Sequence, residues 1–338
     1  MHNVYIYPVS NRVKTGIYNP YIDNFIKYGN EYYLFLNKDH PSDSGLFNIL
    51  KYIRTIDIIF FNWIEKLPEL KGGFIQTCFL FVLVGYCKIK HVKIVWTLHN
   101  KIAHTKKHLF FKKMIFSLMI KKSDLIITHA SDGKTLVNEF YKLPKRIFYF
   151  PHPVVENLHT ETGQKEFDIL IWGSLSPYKA IDQFLEFLYK NELQCKYHIR
   201  IVGKCFDPKY FNRLNSYTNQ CISLEDKFIN NEDLRQLMSH ARIVLFTYNN
   251  DSVLSSGALV ESISYGALVV GPNKAAFKDL ADLQYIFSFE NFDLLIDLIN
   301  KILSGDKIIP KEKFDHFLKE FHWSEFAKKL NQELYPVI

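Results

Sequence analysis

Several features that would mark this chain as a member of a large protein class are missing. Cysteine is sparse: five thiols, at 78, 87, 195, 205 and 221 of 338 residues, with no CxxC pair and no His/Cys cluster at metal-ligand spacing. A disulfide framework and a zinc scaffold are therefore excluded, and reduced thiols in a cytoplasmic compartment are expected. No apolar run is long enough to span a bilayer. The longest, GGFIQTCFLFVLVGYC at 72–87, is broken by Gln76 and Thr77 and is shorter than the roughly 20 residues a spanning helix needs. It reads as a buried helix between two strands. The opening MHNVYIYPVSN has neither a basic segment nor an apolar core after it, so no secretory signal is expected. No repeat of 20–50 residues is present, and no RNP, helix-turn-helix or zinc-finger pattern, so no nucleic acid is expected as a partner.

What is present is a regular alternation. Short runs rich in β-branched and aromatic residues recur at 4–8, 32–36, 57–63, 93–98, 124–129 and 146–150, then at 168–172, 198–202, 243–247, 267–270 and 285–287. They are continuous apolar runs, as parallel strands covered on both faces require, and helix-length segments separate them. The polar stretch PHPVVENLHTETGQKEF at 151–167 reads as a linker. The expected architecture is α/β: two Rossmann-like domains facing each other across a cleft, 1–155 and 156–321, with a last helix at about 322–338 returning to the first.

Charge divides along the same line. Residues 1–150 carry 22 Lys and Arg against 10 Asp and Glu, whereas residues 151–338 carry 20 against 25. One domain is thus built to meet an anionic surface. The densest patch, at 101–124, has Lys106, Lys107, Lys112, Lys113, Lys121 and Lys122 around Phe110, Phe111 and Met114. It reads either as a basic helix lying on an anionic membrane or as an amphipathic helix with a solvated lysine face.

The stretch SSGALVESISYGALVVGP at 255–272 places two serines and a glycine at a helix start, with an acid about one turn inside. A helix start has free N–H groups and the positive end of the dipole, so it binds phosphate. Ser255 and Ser256 add hydroxyls, Gly257 permits close approach, and Glu261 falls where a sugar hydroxyl attached to that phosphate would lie. The alternative is plain capping, with Ser256 as N-cap and Glu261 favoured by the dipole. Upstream, DILIWGSLSPYKAIDQFLEF at 168–187 supplies a second turn, at Gly173, with Lys179 in reach.

This order of elements resembles the donor-binding domain of GT-B glycosyltransferases, most like the family 4 type of bacterial capsular and exopolysaccharide synthesis. The resemblance covers about 165–290. NPYIDNF (19–25), DIIFFNWIEKLP (57–68) and WTLHNKIAH (96–104) are similar, more loosely, to acceptor-side loops of such enzymes, and HWSEFAKKLNQEL (322–334) to their terminal helix. The resemblance implies that Lys179 contacts the donor diphosphate, that the Ser256-Gly257 backbone holds the distal phosphate, and that Glu261 binds the ribose. It departs where the family often has an acid eight positions before that glutamate, which here is Val253, and where Ala180 stands for a common glycine. His99, at the end of a strand, is the first candidate for contacting the transferred sugar or taking the acceptor proton; Glu65 is the second and His104 the third. His152 is expected to fix the interdomain turn. With no clear Asp-x-Asp pair, neither metal nor other cofactor is expected, and Lys179 with the helix dipole would stabilise the departing diphosphate.

The expected function is sugar transfer from a nucleotide-diphosphate sugar to a glycan acceptor, lipid-linked at the inner face of a bacterial plasma membrane. Two alternatives stay open: a nucleotide-sugar epimerase of the same fold, and a non-catalytic sugar-nucleotide-binding partner of a polysaccharide assembly complex.

Overall fold

The computed structural model describes residues 1–9, 20–40, 42, 44–101, 107–157, 164–249 and 254–336. The chain divides into two units, one comprising Met1–Pro153 with Trp323–Ile338, the other Val154–Asp251 with Ser255–His322.

The first unit is a parallel sheet of β1 (His2–Tyr7), β2 (Tyr33–Phe35), β3 (Ile58–Asn62), β4 (Lys93–Leu98), β5 (Leu125–Thr128) and β6 (Ile147–Tyr149), in the order 2-1-3-4-5-6. Ile58 through Phe61 and Leu125 through Ile127 are wholly buried, which is what their unbroken apolar character dictates for strands covered on both faces. The helices are α1 (Pro20–Gly29), α2 (Gly73–Ile89), α3 (Leu109–Lys122) and α4 (Ser131–Phe140).

The second unit is a parallel sheet of β7 (Phe167–Trp172), β8 (Ile199–Val202), β9 (Ile222–Glu225), β10 (Ala241–Leu245), β11 (Val269–Pro272) and β12 (Phe287–Phe289), in the order 12-11-10-7-8-9. Counted from its own first strand this is the dinucleotide-binding order, which reverses between β7 and β10. Around it lie α5 (Ile181–Lys190), α6 (Pro208–Asn215), α7 (Asn231–His240), α8 (Gly257–Ser264), α9 (Ala275–Asp282), α10 (Phe292–Leu303) and α11 (Lys311–Glu320). The final helix, α12 (Trp323–Leu334), packs against α1 of the first unit. Trp323 and Phe326 are buried there against Tyr21 and Phe25.

Two departures from the sequence reading have physical causes. β9 was not expected: as an edge strand it needs no continuous apolar run, and Ser223 and Glu225 alternate with Ile222 and Leu224. The run at 72–87 does form a helix, α2, but one buried along a single face, by Leu80, Leu83, Val84 and Cys87. Phe74, Ile75, Phe81, Val82 and Ile89 are exposed, while Gln76 and Thr77 face inward. Gln76 accepts from the Leu46 N–H at 2.8 Å, and the Thr77 hydroxyl donates to the Gly73 carbonyl at 2.7 Å. The polar residues that seemed to interrupt the helix are part of its buried face.

Candidate nucleotide and catalytic sites

The switch between β7 and β10 is where an open parallel sheet leaves room for a ligand at its carboxyl edge. β7 ends at Trp172, and Gly173 follows with φ +91°, a left-handed conformation that favours glycine. The chain then closes a short turn, Pro177–Lys179, which brings the Lys179 side chain back beneath the strand end. Its ammonium donates to the Trp172 carbonyl at 3.2 Å. A Cβ at Gly173 would stand 3.1 Å from Nζ, and one at Gly203, after β8, would stand 1.8 Å from the Gly173 carbonyl oxygen. Glycine at both positions lets the two loops meet backbone to backbone with the lysine under them.

β10 continues into the same place. The Thr247 hydroxyl donates to the Lys179 carbonyl at 2.6 Å, and the Tyr248 ring lies with its centroid 5.6 Å from Nζ. The Tyr248 and Ser256 hydroxyls are 3.3 Å apart. Ser256 precedes α8 but makes no side-chain cap, so plain capping by its hydroxyl is not what the structure shows. Among the described residues, no backbone hydrogen bond engages the N–H groups of Gly257 and Ala258, and Ser255 and Ser256 are half-buried beside them. The Trp172 indole N–H donates to the Ser262 hydroxyl at 2.9 Å and ties the end of β7 to α8.

Burial sets the charges. Lys179 is 3% exposed, and burial pushes its ammonium down to about 8. Glu261 is half-buried on α8, and burial pushes its carboxyl up to about 7. Its carboxylate takes part in no hydrogen bond or ion pair among the described residues. The site thus holds a cation and an anion, each short of the partners that would restore its ordinary ionisation. Gly173, Lys179, Ser255, Ser256, Gly257 and Glu261 all belong to the ends of β7 and β10 or to the start of α8. Trp172, Gly203, Thr247 and Tyr248 were not singled out from sequence, though Gly203 follows the apolar run at 198–202 much as Gly173 follows its own. A separate open cavity of about 700 Å³, lined by Lys165, Arg242, Tyr265 and Phe314, lies at the opposite end of β10, and none of the six residues lines it.

In the first unit, His99 follows β4 and is 8% exposed. Its ring stacks on Trp63 at 4.1 Å and meets the Tyr21 ring edge-on at 4.9 Å. Nε2 lies 3.2 Å from Asn62 Oδ1, and the Asn62 amide donates to the Tyr7 carbonyl at 3.3 Å. Since that amide bond aims Oδ1 at His99, the Nε2 position carries the proton and Nδ1 keeps the lone pair. Burial first, then His129, His152 and Lys66, hold His99 well below the usual histidine range. His129 donates from Nδ1 to the Phe150 carbonyl at 2.7 Å and accepts from the Tyr21 hydroxyl at 2.8 Å. Burial pushes it down to about 3 and His152 to about 4. His152 donates to the Pro153 carbonyl at 2.9 Å.

Glu65 is buried in the turn Ile64–Glu69, and burial raises its carboxyl despite Lys66 and Lys112 nearby. No hydrogen bond or ion pair joins it to His99, so the two catalytic candidates do not form a pair. His104, Val253 and Lys106 lie outside the described residues. Among the described residues, no three His, Cys, Asp or Glu side chains are grouped to hold a metal ion. One member of the expected lysine array is corrected. Lys112 is 4% exposed and pairs with Glu69, whereas Lys107, Lys113, Lys121 and Lys122 are exposed. On a helix packed by Ile115 and Met119, position 112 falls on the inner face and needs a buried acid.

Two parallel six-stranded sheets with alternating helices, the second in dinucleotide order, give the chain the GT-B fold expected from its sequence. No protein-family model matches the sequence, and no curated protein matches it. Among solved structures, the chain is similar to Anabaena HepE in complex with UDP, at 14% identity and TM-score 0.73 over 100% of both chains. HepE has also been seen with UDP-glucose. The chain is similar as well to a sucrose-phosphate synthase from Thermosynechococcus elongatus, at 11% identity and TM-score 0.68 over 99% of this chain and 98% of that one. A third is the lipopolysaccharide outer core galactosyltransferase WaaB, at 12% identity and TM-score 0.66 over 99% of each chain.

Proposed function

We propose that this protein is a glycosyltransferase that moves a hexosyl group from a nucleotide-diphosphate sugar to a glycan acceptor. The observation that carries the reading is Lys179, an ammonium buried beneath two glycine turns at the sheet's switch point, with the uncapped start of α8 beside it. A group so costly to bury without a counter-ion is explained by an anion that arrives with the substrate. The diphosphate would lie between Lys179 and the Gly257 and Ala258 N–H groups, and Glu261 would accept from the ribose hydroxyls. As the sugar–phosphate bond breaks, charge grows on the departing diphosphate, where the lysine and the helix dipole already point. In this reading no divalent ion is required.

His99 would supply an acceptor at Nδ1 for a hydroxyl of the sugar or of the acceptor, with Asn62 and Trp63 fixing its ring. The known partners of the similar folds, UDP and UDP-glucose in HepE, make a uridine nucleotide the first donor to try. We read the acceptor as a lipid-linked glycan of a bacterial surface polysaccharide, met at the cytoplasmic face of an anionic membrane. The support is the excess of lysine and arginine in residues 1–150. A thermal-shift panel of UDP, GDP, CDP and dTDP tests the donor site. A nucleotide at a hundred times its Kd stabilises by about 2.7 kcal/mol, and no shift with any of the four refutes the reading.

A further inference from the structure

The solvent face of α2 is apolar. Along its 17 residues, Phe74, Ile75, Phe81, Val82 and Ile89 are between 37% and 75% exposed, and Cys78 and Gly85 are exposed between them. The spacing i, i+1, i+4, i+7, i+8, i+11, i+15 places all seven on one arc of about 120°. No charged residue lies within that arc. The face continues onto α3: Phe111 meets Phe74 edge-on at 5.5 Å and Phe110 at 5.5 Å, and Phe110 is 70% exposed, with Met114 at 37%. A contiguous apolar surface of this kind marks an interaction site.

Its rim is basic. Lys71 is exposed before the first turn and Lys90 after the last, and Lys107 and Lys113 are exposed beside Phe110 and Met114. None of these four forms an ion pair among the described residues. The nearby acids are spoken for, Glu69 by Lys112 and Asp124 by Lys88. The rim therefore asks for negative charge around an apolar centre, which an anionic lipid bilayer offers and a second copy of this chain, bringing its own lysines, does not.

We propose that the solvent face of α2, continued by Phe110 and Met114, is the surface by which this protein docks on an anionic lipid bilayer. It deepens the reading that the acceptor is presented at a membrane and moves the docking element from the lysines of 101–122 to the apolar helix beside them. No helix among the described residues is long and apolar enough to cross a membrane, so the contact lies in the headgroup plane.

The test is flotation of the full chain with vesicles of phosphatidylcholine alone or with one third phosphatidylglycerol. The parent is expected to float with the anionic vesicles and, on zwitterionic ones, about tenfold or more weakly. Ile75→Gln with Val82→Gln is expected to reduce binding to anionic vesicles by on the order of tenfold per side chain replaced. Lys71→Gln with Lys113→Gln is expected to weaken it and to reduce its salt dependence. All four positions are exposed, and an unchanged circular dichroism spectrum and urea unfolding midpoint show that the variants fold. A parent that ignores anionic vesicles, or apolar variants that float as the parent does, would overturn the proposal. So would a parent that sediments as a dimer without lipid and becomes monomeric in Ile75→Gln/Val82→Gln, which would assign the face to a second copy. Flotation needs no turnover, so a protein that docks but transfers no sugar sinks only the enzymatic reading; one that transfers to a soluble glycan but never docks sinks only this one.

Discussion

Binding of a nucleotide sugar should move protons in opposite directions on the two sides of neutrality. In the free protein, burial holds the Glu261 carboxyl at about 7 and the Lys179 ammonium at about 8. Ribose hydroxyls donating to Glu261 favour its ionised form, and a diphosphate beside Lys179 favours the charged amine, so binding lowers the first value and raises the second. At about pH 6 roughly nine in ten free molecules hold a proton on Glu261, and binding releases it. At about pH 8.5 most free molecules have a neutral Lys179, and binding takes a proton up. Between about 7 and 8 the two exchanges offset each other. Affinity should therefore fall about tenfold per pH unit below 7 and again above 8, each pKa unit being worth 1.36 kcal/mol. UDP-glucose suits the measurement because its diphosphate diester does not titrate in this range. Titration calorimetry in two buffers of different ionisation enthalpy, at each pH, counts the protons. Glu261→Gln should abolish the release at low pH and keep the uptake; Lys179→Met should do the reverse. A count of zero at both ends, or one sign throughout, would show that the nucleotide does not meet these two groups.

Other outcomes follow from the same geometry. At pH 8, Glu261→Gln should stabilise the free protein by about 1–3 kcal/mol while weakening nucleotide binding: the raised carboxyl contributes stability in full only below its unfolded value and loses it as pH rises through about 7. Chemical denaturation with and without UDP-glucose separates the two effects. Gly203→Ala should cost about 1–3 kcal/mol and abolish nucleotide binding, since its Cβ would overlap the Gly173 carbonyl 1.8 Å away; an unchanged denaturation midpoint would contradict the packing. His129 and His152, at about 3 and about 4, give stability that is complete above about 6.5 and is lost as pH falls toward those values. Each should therefore cost about 2 kcal/mol by pH 5, visible as a urea midpoint that drops in the parent and less in His129→Gln. Asn62→Asp puts a carboxylate on the His99 Nε2 proton and should raise that histidine's titration, read by NMR, and shift the rate profile with it; an unmoved titration would refute the hydrogen-bond assignment.

The strands of the sheets were legible because parallel strands covered on both faces must be unbroken apolar runs, and Ile58–Phe61 and Ile169–Trp172 are such runs. β9 escaped because an edge strand is not held to that rule. The grouping of the candidate residues at the switch point was legible for a similar reason. Glycine where loops touch, a lysine one short turn later and a serine-rich helix start are all local patterns, and the fold only had to bring their three strand ends together. The first unit was harder because its site is made of contacts no short motif encodes. His99 is held by Asn62 and Trp63 from the end of a different strand, and His129 by Tyr21, 108 residues away.

α2 shows the limit most clearly. From sequence, Gln76 and Thr77 looked like interruptions in a buried helix, because polarity is ordinarily the outward sign. Here Gln76 accepts from the Leu46 N–H and Thr77 donates to the Gly73 carbonyl of its own helix, while Leu80, Leu83, Val84 and Cys87 fill the rest of the buried face. A second set of apolar residues, Phe74, Ile75, Phe81, Val82 and Ile89, faces outward. A helix that is apolar on its outer as well as its inner face would sit poorly in water over a long face. It suits a surface where one side is protein and the other lipid, and the lysines at its rim have the sign that anionic headgroups attract. On α3 as well, Lys112 turns inward to Glu69 beside the buried Ile115 and Met119, while Phe110 turns out. Pattern alone assigns such a helix to the core; only the partners of its polar residues reveal which face meets the protein.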